Sequence, residues 1–330
     1  MNPVFSFGFS GTHSVSETIE IVTAAENAGF DTVWISEDYF QYGAFSLAAA
    51  CAANTTRINI GIGVINPYTR HPVLSAMEAV ALDEVSQGRL ALAIGSSLKV
   101  WMETQAGIPY VKPLTAAKEC FQIIRKLTST GSIEFKGNYF KTGSVKLNNK
   151  PFRSSFPLFM GIKGDKALEA AGRMNANVLL SAGSPLEYIS YARKLINKGA
   201  LEAGNDPASI KIAAYLPIYI NPDGNLARER MRPLTAEFLG MHGEHPILLV
   251  AGIKPEQIAP FRQAFISNSI AAEPVPDELV DKLVIAGTPA ECRHRLNAYI
   301  DAGVDIPVFF EANGVCSPLE TIQSIQEYLM

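Results

Sequence analysis

The same strand-and-helix unit occurs near both ends of the chain. Ala28-Gly29-Phe30-Asp31 precedes an apolar run that ends at Glu37, and Ala302-Gly303-Val304-Asp305 precedes, with the same spacing, a run that ends at Glu311. In each copy a helix end and a glycine stop lead into a buried strand with an acid at its carboxyl end. Because such units occur at both ends of 330 residues, the pattern predicts parallel strands that close into an eight-fold βα (TIM) barrel.

The alternative topology is a doubly wound open sheet. No GxGxxG motif follows any predicted strand, which disfavours the dinucleotide site typical of that fold. We therefore predict one barrel domain over residues 1–330 with two insertions. Short alternating runs predict a β-hairpin at about 131–156, and a long stretch with helical segments and several prolines predicts a helical insertion at about 221–285, before the last strand.

Composition narrows the classes of partner. The chain has 48% hydrophobic and 18% charged residues with a net charge of −4, which disfavours nucleic acid or an anionic membrane as the main partner. Its four cysteines are scattered without a disulfide or metal-binding spacing. The sequence contains no long apolar run and no basic leader followed by one. We therefore expect a soluble cytoplasmic protein that acts on a small molecule.

The stretch from Ile58 to Pro72 carries more polar groups than a connection needs. Its β-branched run contains Gly61 and Gly63, where a missing side chain marks a bulge or a close ligand. Polar side chains at 66 and 68–71 then surround one proline, and Pro72 suits the first turn of a helix. This cluster would lie at the carboxyl end of a strand, which is the functional edge of βα barrels. The alternative is an ordinary turn beside solvated side chains.

Adjacent acids end the second predicted strand. Glu37 and Asp38 are followed by Tyr39, and neighbouring carboxylates in a cleft raise one another's pKa, which suits proton transfer. The alternative is a helix N-cap with a surface acid. The histidines at 242 and 245 lie in the helical insertion without partners at one-face helical spacing, so we expect mobile-loop residues and no metal site.

Small-residue loops follow three further strands. Gly161, Lys163 and Gly164 precede a helix, and free backbone N–H groups with a lysine at a helix N-terminus form an anion site. The loops at 95–97 and 182–184 are also rich in glycine and serine. The alternatives are tight turns and a solvated lysine on a capped helix.

Residues 63–72, Gly-Val-Ile-Asn-Pro-Tyr-Thr-Arg-His-Pro, followed by Leu-Asp-Glu-Val-Ser-Gln-Gly-Arg-Leu at 82–90, resemble the bacterial-luciferase-like flavin oxidoreductases. Within that family the chain is most similar to the deazaflavin-dependent branch that contains methylenetetrahydromethanopterin reductase. The resemblance implies a βα barrel, a non-proline cis peptide at Gly63–Val64 behind the flavin ring, a phosphate held by the loop at 161–164, an acid such as Asp38 close to the ring, and a homodimer.

Loop position and resemblance together give three sets of candidate residues. The catalytic candidates are Asp38, Glu37 and Tyr39. The cofactor-binding candidates are Gly63, Val64, Asn66, Gly95, Ser96, Gly161, Lys163, Gly164, Gly183 and Ser184. The substrate candidates, which would shape the pocket, are Arg70, His71 and Trp101.

The predicted function is a luciferase-like oxidoreductase that uses FMN or a deazaflavin coenzyme and acts on a small organic substrate. Two versions stay open: hydride transfer with a deazaflavin, and monooxygenation with reduced FMN and oxygen. The alternative from another class is a non-catalytic flavin-binding barrel, which the acids at 37 and 38 disfavour.

Overall fold

The computed structural model describes residues 4–271 and 273–330. The chain divides into two compact units. The N-terminal unit comprises Phe9–Ile162 and Ala176–Leu179, and the C-terminal unit comprises Met1–Gly8, Lys163–Asn175 and Leu180–Met330. Within the described part of the chain, no helix is long and apolar enough to cross a membrane.

The N-terminal unit alternates strands and helices. In chain order its elements are α1 (Val15–Ala28), β2 (Thr32–Ile35), α2 (Ala44–Ala53), β3 (Asn59–Ile65), α3 (Pro72–Val85), β4 (Leu90–Gly95), a π-helix (Val100–Gln105), α4 (Pro113–Thr130), β5 (Ser132–Lys136), β6 (Lys141–Lys146), β7 (Leu158–Gly161) and most of β8 (Asn177–Leu180). Parallel pairing gives the strand order β2-β3-β4-β7-β8. The antiparallel pair β5–β6 is the predicted hairpin insertion.

The sequence explains this parallel sheet. Every residue of β2 and β4 is buried, as expected for strands covered on both faces. Gly61 in β3 faces Trp34, and a Cβ atom there would lie 2.6 Å from Trp34 Cδ2. Gly29 ends α1 in the left-handed conformation, with φ of 91°, and Pro72 begins α3. Both assignments confirm the predicted helix boundaries.

The C-terminal unit has the same alternation followed by a helical stretch. Its elements are β1 (Ser6–Phe9, with Phe9 in the other unit), α5 (Asp165–Arg173), α6 (Leu186–Glu202), β9 (Ile212–Ile220), α7 (Gly224–His242), α8 (Pro246–Leu249), α9 (Pro255–Ser267), α10 (Asp277–Leu283), β10 (Ile285–Gly287), α11 (Pro289–Ala302), β11 (Ile306–Phe310) and α12 (Pro318–Tyr328). Its strands pair in parallel in the order β10-β9-β11-β1. Helices α7 to α10 form the predicted helical insertion.

Three details differ from the sequence prediction. The sequence predicts a first strand over 4–9 and a last strand over 308–310 that follows Pro307. Instead, β1 begins at Ser6, and Pro307 is the second residue of β11, where it lies opposite Ala214 of β9. Pairing of β11 with β1 starts only at Val308, so the missing proline N–H removes no bond on that side. The π-helix, β10 and α12 were not predicted.

Candidate functional site

Val64 is the centre of a tightly packed group at the ends of β3, β4 and β7. The peptide bond between Gly63 and Val64 is cis, as the resemblance predicted. The β3–β4 register shifts at this point, so Val64 projects from a bulge. A Cβ atom on Gly95 would lie 2.7 Å from Val64 Cγ2, and one on Gly161 would lie 2.4 Å from Val64 Cγ1. Glycine is therefore required at both positions for this valine to fit.

A second non-proline cis peptide, which was not predicted, joins Tyr39 to Phe40. It follows β2, directly after the two predicted acids. Asp38 is half-buried, and its backbone carbonyl accepts a hydrogen bond from the Gln41 N–H at 3.2 Å. This peptide belongs to the segment that carries all three catalytic candidates.

The turn at 66–71 is held by the side chain of Asn66. Its Oδ1 accepts hydrogen bonds from the Tyr68 N–H at 2.8 Å and the Thr69 N–H at 3.0 Å, and its Nδ2 donates to Thr69 Oγ1 at 3.1 Å. Asn66 is 1% exposed. Its polar atoms are thus used within the turn, and cofactor contact by Asn66 stays a prediction that this geometry does not favour. Similarly, His71 Nδ1 accepts a hydrogen bond from the Val73 N–H at 3.3 Å, so this side chain caps the start of α3.

A half-buried ion pair joins the second-strand acid to the turn. Arg70 Nη1 donates to the two carboxylate oxygens of Glu37 at 3.1 and 3.2 Å, while Arg70 Nε lies 2.9 Å from Glu78. The Arg70 guanidinium also stacks 5.0 Å from the centre of the Phe45 ring. Burial raises the pKa of Glu37, and the charge of Arg70 offsets only part of that rise. A carboxyl group in this setting holds a proton at higher pH than an exposed one.

Tyr39 lies next to this pair. Burial and the charge of Glu37 raise the pKa of Tyr39 to about 12, although the nearby Thr69 and Ser97 hydroxyls oppose that rise. The hydroxyls of Tyr39 and Ser97 are both buried, and neither makes a well-aligned hydrogen bond within the described residues. The Trp101 ring, on the π-helix, lies 5.6 Å from the Tyr39 ring. Buried hydroxyls usually have a hydrogen-bond partner, which makes Tyr39 and Ser97 candidates for contact with a ligand.

Ser96 and Ser97 follow β4 in a fixed loop. Tyr110 Oη donates a hydrogen bond towards Ser96 Oγ at 3.3 Å and towards the Ser97 carbonyl at 3.2 Å. Ser97 adopts a left-handed φ of 62°, which is uncommon for serine. Of these two serines, the sequence analysis predicts only Ser96 as a cofactor contact. The structure adds Ser97 as a candidate because its hydroxyl lies beside Tyr39.

The C-terminal unit contains a separate basic cluster around the start of α5. Lys163 and Gly164 precede the helix. Burial and the charge of Arg262 lower the pKa of Lys163. Burial and Lys163 likewise lower the pKa of His245 to about 4. Asp165, the first residue of α5, also lies here, and its charge opposes the lowering of the pKa of His245. The helix N-terminus, Lys163 and Arg262 still make an environment that favours an anion.

His242 completes this cluster. Its Nε2 lies 2.9 Å from the Ala182 carbonyl, and because a carbonyl only accepts, Nε2 carries the hydrogen and Nδ1 is an acceptor. Nδ1 is buried and has no hydrogen-bond partner within residues 4–271 and 273–330. Burial, together with Lys163, lowers the pKa of His242 to about 3. This ring is therefore neutral near pH 7.

The residues of the loop at 182–184 pack against and hydrogen-bond to other residues of the protein. Gly183 has a left-handed φ of 72°, and a Cβ atom there would lie 2.8 Å from the Phe238 ring. Ser184 is 1% exposed. Its hydroxyl donates to the Ser181 carbonyl at 2.7 Å, and its own carbonyl accepts from Tyr299 Oη at 3.1 Å. Cofactor binding by Ser184 stays a prediction, and its hydrogen bonds do not favour it.

No group of three or more histidine, cysteine, aspartate or glutamate residues that could hold a metal ion occurs within the described ranges. The polar residues of the candidate site fall into two sets. One consists of Glu37, Arg70, Tyr39 and Ser97 in the N-terminal unit. The other is the basic cluster of Lys163, Gly164, His242, His245 and Arg262 in the C-terminal unit.

Comparison with known proteins identifies relatives along almost the whole chain. The sequence signature of the luciferase-like monooxygenase family matches residues 3–306. The 5,10-methylenetetrahydromethanopterin reductase of Methanolobus tindarius is 32% identical over 303 residues, which cover 91% of each chain. A putative coenzyme F420-dependent oxidoreductase of Mycobacterium tuberculosis is 28% identical over 322 residues, covering 91% of this chain and 92% of that one.

A solved structure is similar along the same length of chain. The coenzyme F420-dependent tetrahydromethanopterin reductase of Methanopyrus kandleri is similar with a TM-score of 0.88 and 26% identity, covering 99% of this chain and 98% of that one. The similarity confirms the predicted fold class, an eight-fold βα (TIM) barrel, and the predicted functional class, an oxidoreductase that uses a flavin or a deazaflavin. The chain belongs to the luciferase-like monooxygenase family.

Proposed function

We propose that this protein is a deazaflavin-dependent oxidoreductase, using coenzyme F420, that transfers hydride to the methylene carbon of a reduced pterin. Relatives with that named substrate share 32% identity with this chain over 91% of its length. The observation that carries the proposal is the half-buried Glu37–Arg70 pair beside the Tyr39 hydroxyl, because this reaction needs a proton as well as a hydride.

The residues around Val64 fit a flat ring. Val64 sits on Gly95 and Gly161, whose missing side chains let it pack at the strand ends. The buried hydroxyls of Tyr39 and Ser97 lack good partners among the residues that the structure describes. We infer that Gly63, Val64, Gly95, Ser96 and Gly161 support the coenzyme ring, as the resemblance implies, and that Arg70, His71 and Trp101 shape the substrate pocket.

The basic cluster fits a phosphate group. Lys163 supplies a partly buried cation, Arg262 a second one, and α5 its N-terminal backbone. A phosphate near Lys163 would raise its lowered pKa, since an adjacent negative charge favours the protonated amine. We therefore propose that Lys163 and Gly164 hold the coenzyme phosphate, with Gly183 adjoining them in the binding loop. Lys163→Ala should weaken coenzyme binding, whereas Lys166→Ala, in the first turn of α5, should not.

The acid would provide the proton for the reaction. When bound, the reduced coenzyme supplies the hydride. Reduction of a methylene bridge forms one C–H bond and breaks one C–N bond, so the released nitrogen must gain a proton. Glu37 holds a proton more readily than an exposed carboxyl because burial raises its pKa. Arg70 fixes the orientation of that carboxyl group. We propose that the Tyr39 hydroxyl donates a hydrogen bond to the substrate and that Asp38 is a further catalytic candidate beside Glu37.

Anaerobic turnover tests this function. The purified protein should oxidise reduced F420 when a 5,10-methylenetetrahydropterin is added, and Glu37→Gln should slow the reaction by about 10²–10⁴-fold, the usual range for general acid catalysis. Glu134→Gln, which alters an exposed glutamate, is the matched control. Turnover that requires oxygen and reduced FMN would instead support the monooxygenase function that the family name describes. Tight coenzyme binding without any turnover would support the non-catalytic alternative.

Three further proposals concern the oligomeric state, the cellular location and the number of domains. We propose a homodimer that pairs through α2 and α3, because Leu74, Met77 and Val85 on α3 are 52%, 51% and 47% exposed and exposed apolar stripes favour association. Leu74→Glu should lower the mass measured by light scattering. We propose a cytoplasmic location, which cell fractionation tests, and a single domain over 1–330, for which calorimetry should show one unfolding transition.

A further inference from the structure

One buried carboxylate binds three backbone N–H groups at the tip of the hairpin insertion. Glu119, on α4, is 6% exposed. Its Oε1 accepts from the Asn138 N–H at 2.7 Å, and its Oε2 accepts from the N–H groups of Tyr139 at 3.0 Å and Phe140 at 2.8 Å. A Cβ atom on Gly137 would lie 2.2 Å from Oε2. Three hydrogen bonds to one charged group in a space that excludes a side chain define the position of the hairpin tip.

The tip carries two aromatic residues that contact the turn at 66–71. The Tyr139 ring lies 5.9 Å from the Tyr68 ring in an edge-to-face arrangement, and the Phe140 ring lies 5.3 Å from the His71 ring. Tyr68 and His71 flank Arg70, which holds Glu37. The hairpin is therefore in direct contact with the turn that carries the proposed proton-handling pair.

The contacts continue to the loop after β4. The Tyr68 ring packs 5.1 Å from the Tyr110 ring. Tyr110 Oη in turn contacts Ser96 Oγ at 3.3 Å and the Ser97 carbonyl at 3.2 Å, and Ser97 lies beside Tyr39. We call Tyr68, Tyr110 and Tyr139 the tyrosine cluster. Through it, one continuous set of contacts joins the hairpin tip to the turn and to the Ser96–Ser97 loop.

We propose that Glu119 is a positioning residue for the active site, and that the hairpin insertion holds the 66–71 turn and the Ser96–Ser97 loop through the tyrosine cluster. This inference rests on the proposed function, because it assigns the 66–71 turn to the substrate pocket and Ser96 to the coenzyme ring. Aromatic pairs contribute beyond their buried area, so a displaced Tyr139 would release Tyr68 and then Tyr110. If the hairpin were only a peripheral insertion, the effect of losing Glu119 would end at residues 138–140.

Three variants remove different numbers of these contacts. Glu119→Ala removes all three hydrogen bonds. Glu119→Gln keeps an oxygen that can accept from Tyr139 and Phe140, but its amide nitrogen then faces the N–H of Asn138, because both groups are donors. Tyr110→Phe keeps the ring and removes only the hydroxyl contacts. Glu134→Gln is the control, since it changes a glutamate of the same hairpin that is 57% exposed and forms an exposed ion pair with Lys136.

Hydrogen exchange gives a readout that is independent of ligand. In Glu119→Gln, amides 138–140 should exchange about tenfold faster or more, because hydrogen bonds to charged groups are strong, and faster exchange should extend to 68–71 and 96–98. In the control no segment should change. Faster exchange confined to 138–140 would overturn the proposal, and it would do so whether or not the coenzyme binds.

Kinetics separate positioning from simple destabilisation. The KM for the pterin should rise about three- to tenfold in Glu119→Gln and more in Glu119→Ala, since small displacements of positioning groups have large kinetic effects. Tyr110→Phe should raise the KM without changing exchange at 138–140. An unchanged KM in Glu119→Gln or Tyr110→Phe would overturn the inference. Absence of F420 binding in the wild-type protein would instead refute the proposed function and leave the exchange result to decide the positioning role.

Discussion

Gly161→Ala should show whether the packing of Val64 fixes the ring site. A Cβ atom at 161 would lie 2.4 Å from Val64 Cγ1, whereas two carbons pack best at about 3.5–4.0 Å. Val64 must therefore move by more than about 1 Å, or the ends of β3 and β7 must separate. Gly161 has no left-handed φ, so the substitution acts through this contact and not through backbone conformation.

The size of the effect follows from the contact. Overpacking a well-filled site costs about 1–3 kcal/mol, and for a chain of this length each kcal/mol lowers Tm by roughly 2 °C. The second substitution Val64→Ala removes both Cγ atoms and should relieve the clash. A double-mutant cycle should then give a coupling free energy of about 1–2 kcal/mol in favour of the double variant. Coenzyme affinity should fall in Gly161→Ala, because the displaced valine enters the proposed ring site.

Urea denaturation of the four proteins measures this cycle, with fluorescence titration of F420 alongside. Gly143→Ala is the matched control, since a Cβ atom on Gly143 has nothing within 4 Å. Its free energy of unfolding should change by less than about 0.5 kcal/mol. If Gly161→Ala is as stable as wild type, or if Val64→Ala does not relieve it, the packing argument is refuted.

Three further predictions concern buried charges. Burial raises the pKa of Glu37 above its ordinary 4.5, so the protonated form favours folding and wild-type stability falls as pH rises from about 4.5 through the raised pKa. Glu37→Gln should remove that fall in urea midpoints, and an unchanged profile would contradict the assignment. The pKa of His242 is lowered from 6.5 to about 3, so stability should fall as pH drops below about 6.5, by up to ~1.4 kcal/mol per pH unit. His242→Phe should reduce this slope, and equal slopes in the two proteins would refute the buried neutral ring. Arg153→Ala leaves the carboxylate of Asp83, 2% exposed, buried without its partner and should cost about 3–5 kcal/mol in guanidinium denaturation. Lys136→Ala in an exposed pair should change stability by less than about 1 kcal/mol, and similar losses in both variants would contradict the distinction.

Much of the fold could be predicted because burial and helix boundaries leave local signals. Fully apolar runs became β2 and β4, Gly29 ended α1, and Pro72 began α3. The cis peptide at Gly63–Val64 followed from the resemblance and not from local rules. Helix α12 was missed although Ser317, Pro318 and Glu320 form a recognisable start signal with a capping box. The π-helix that carries Trp101 has no comparable signal.

The site could be predicted only in part, because the sequence shows where polar residues occur but not which residues their side chains contact. The acid at 37 was identified, but its ion pair with Arg70 spans 33 residues and depends on the packing of β2 against β3. Asn66 was selected as a cofactor contact, whereas its side chain holds its own turn, as asparagine before proline often does. Ser97 and Glu119 were not selected, since their roles depend on contacts with Tyr39 and with the hairpin tip.

The most direct test of the central proposal is an equilibrium titration of the purified protein with F420 and, separately, with FMN, followed by fluorescence quenching. We expect tight binding of F420, weaker binding of FMN, and a loss of F420 affinity in Lys163→Ala. Preference for FMN, or binding of neither compound, would contradict the assignment of this chain as a deazaflavin-dependent oxidoreductase.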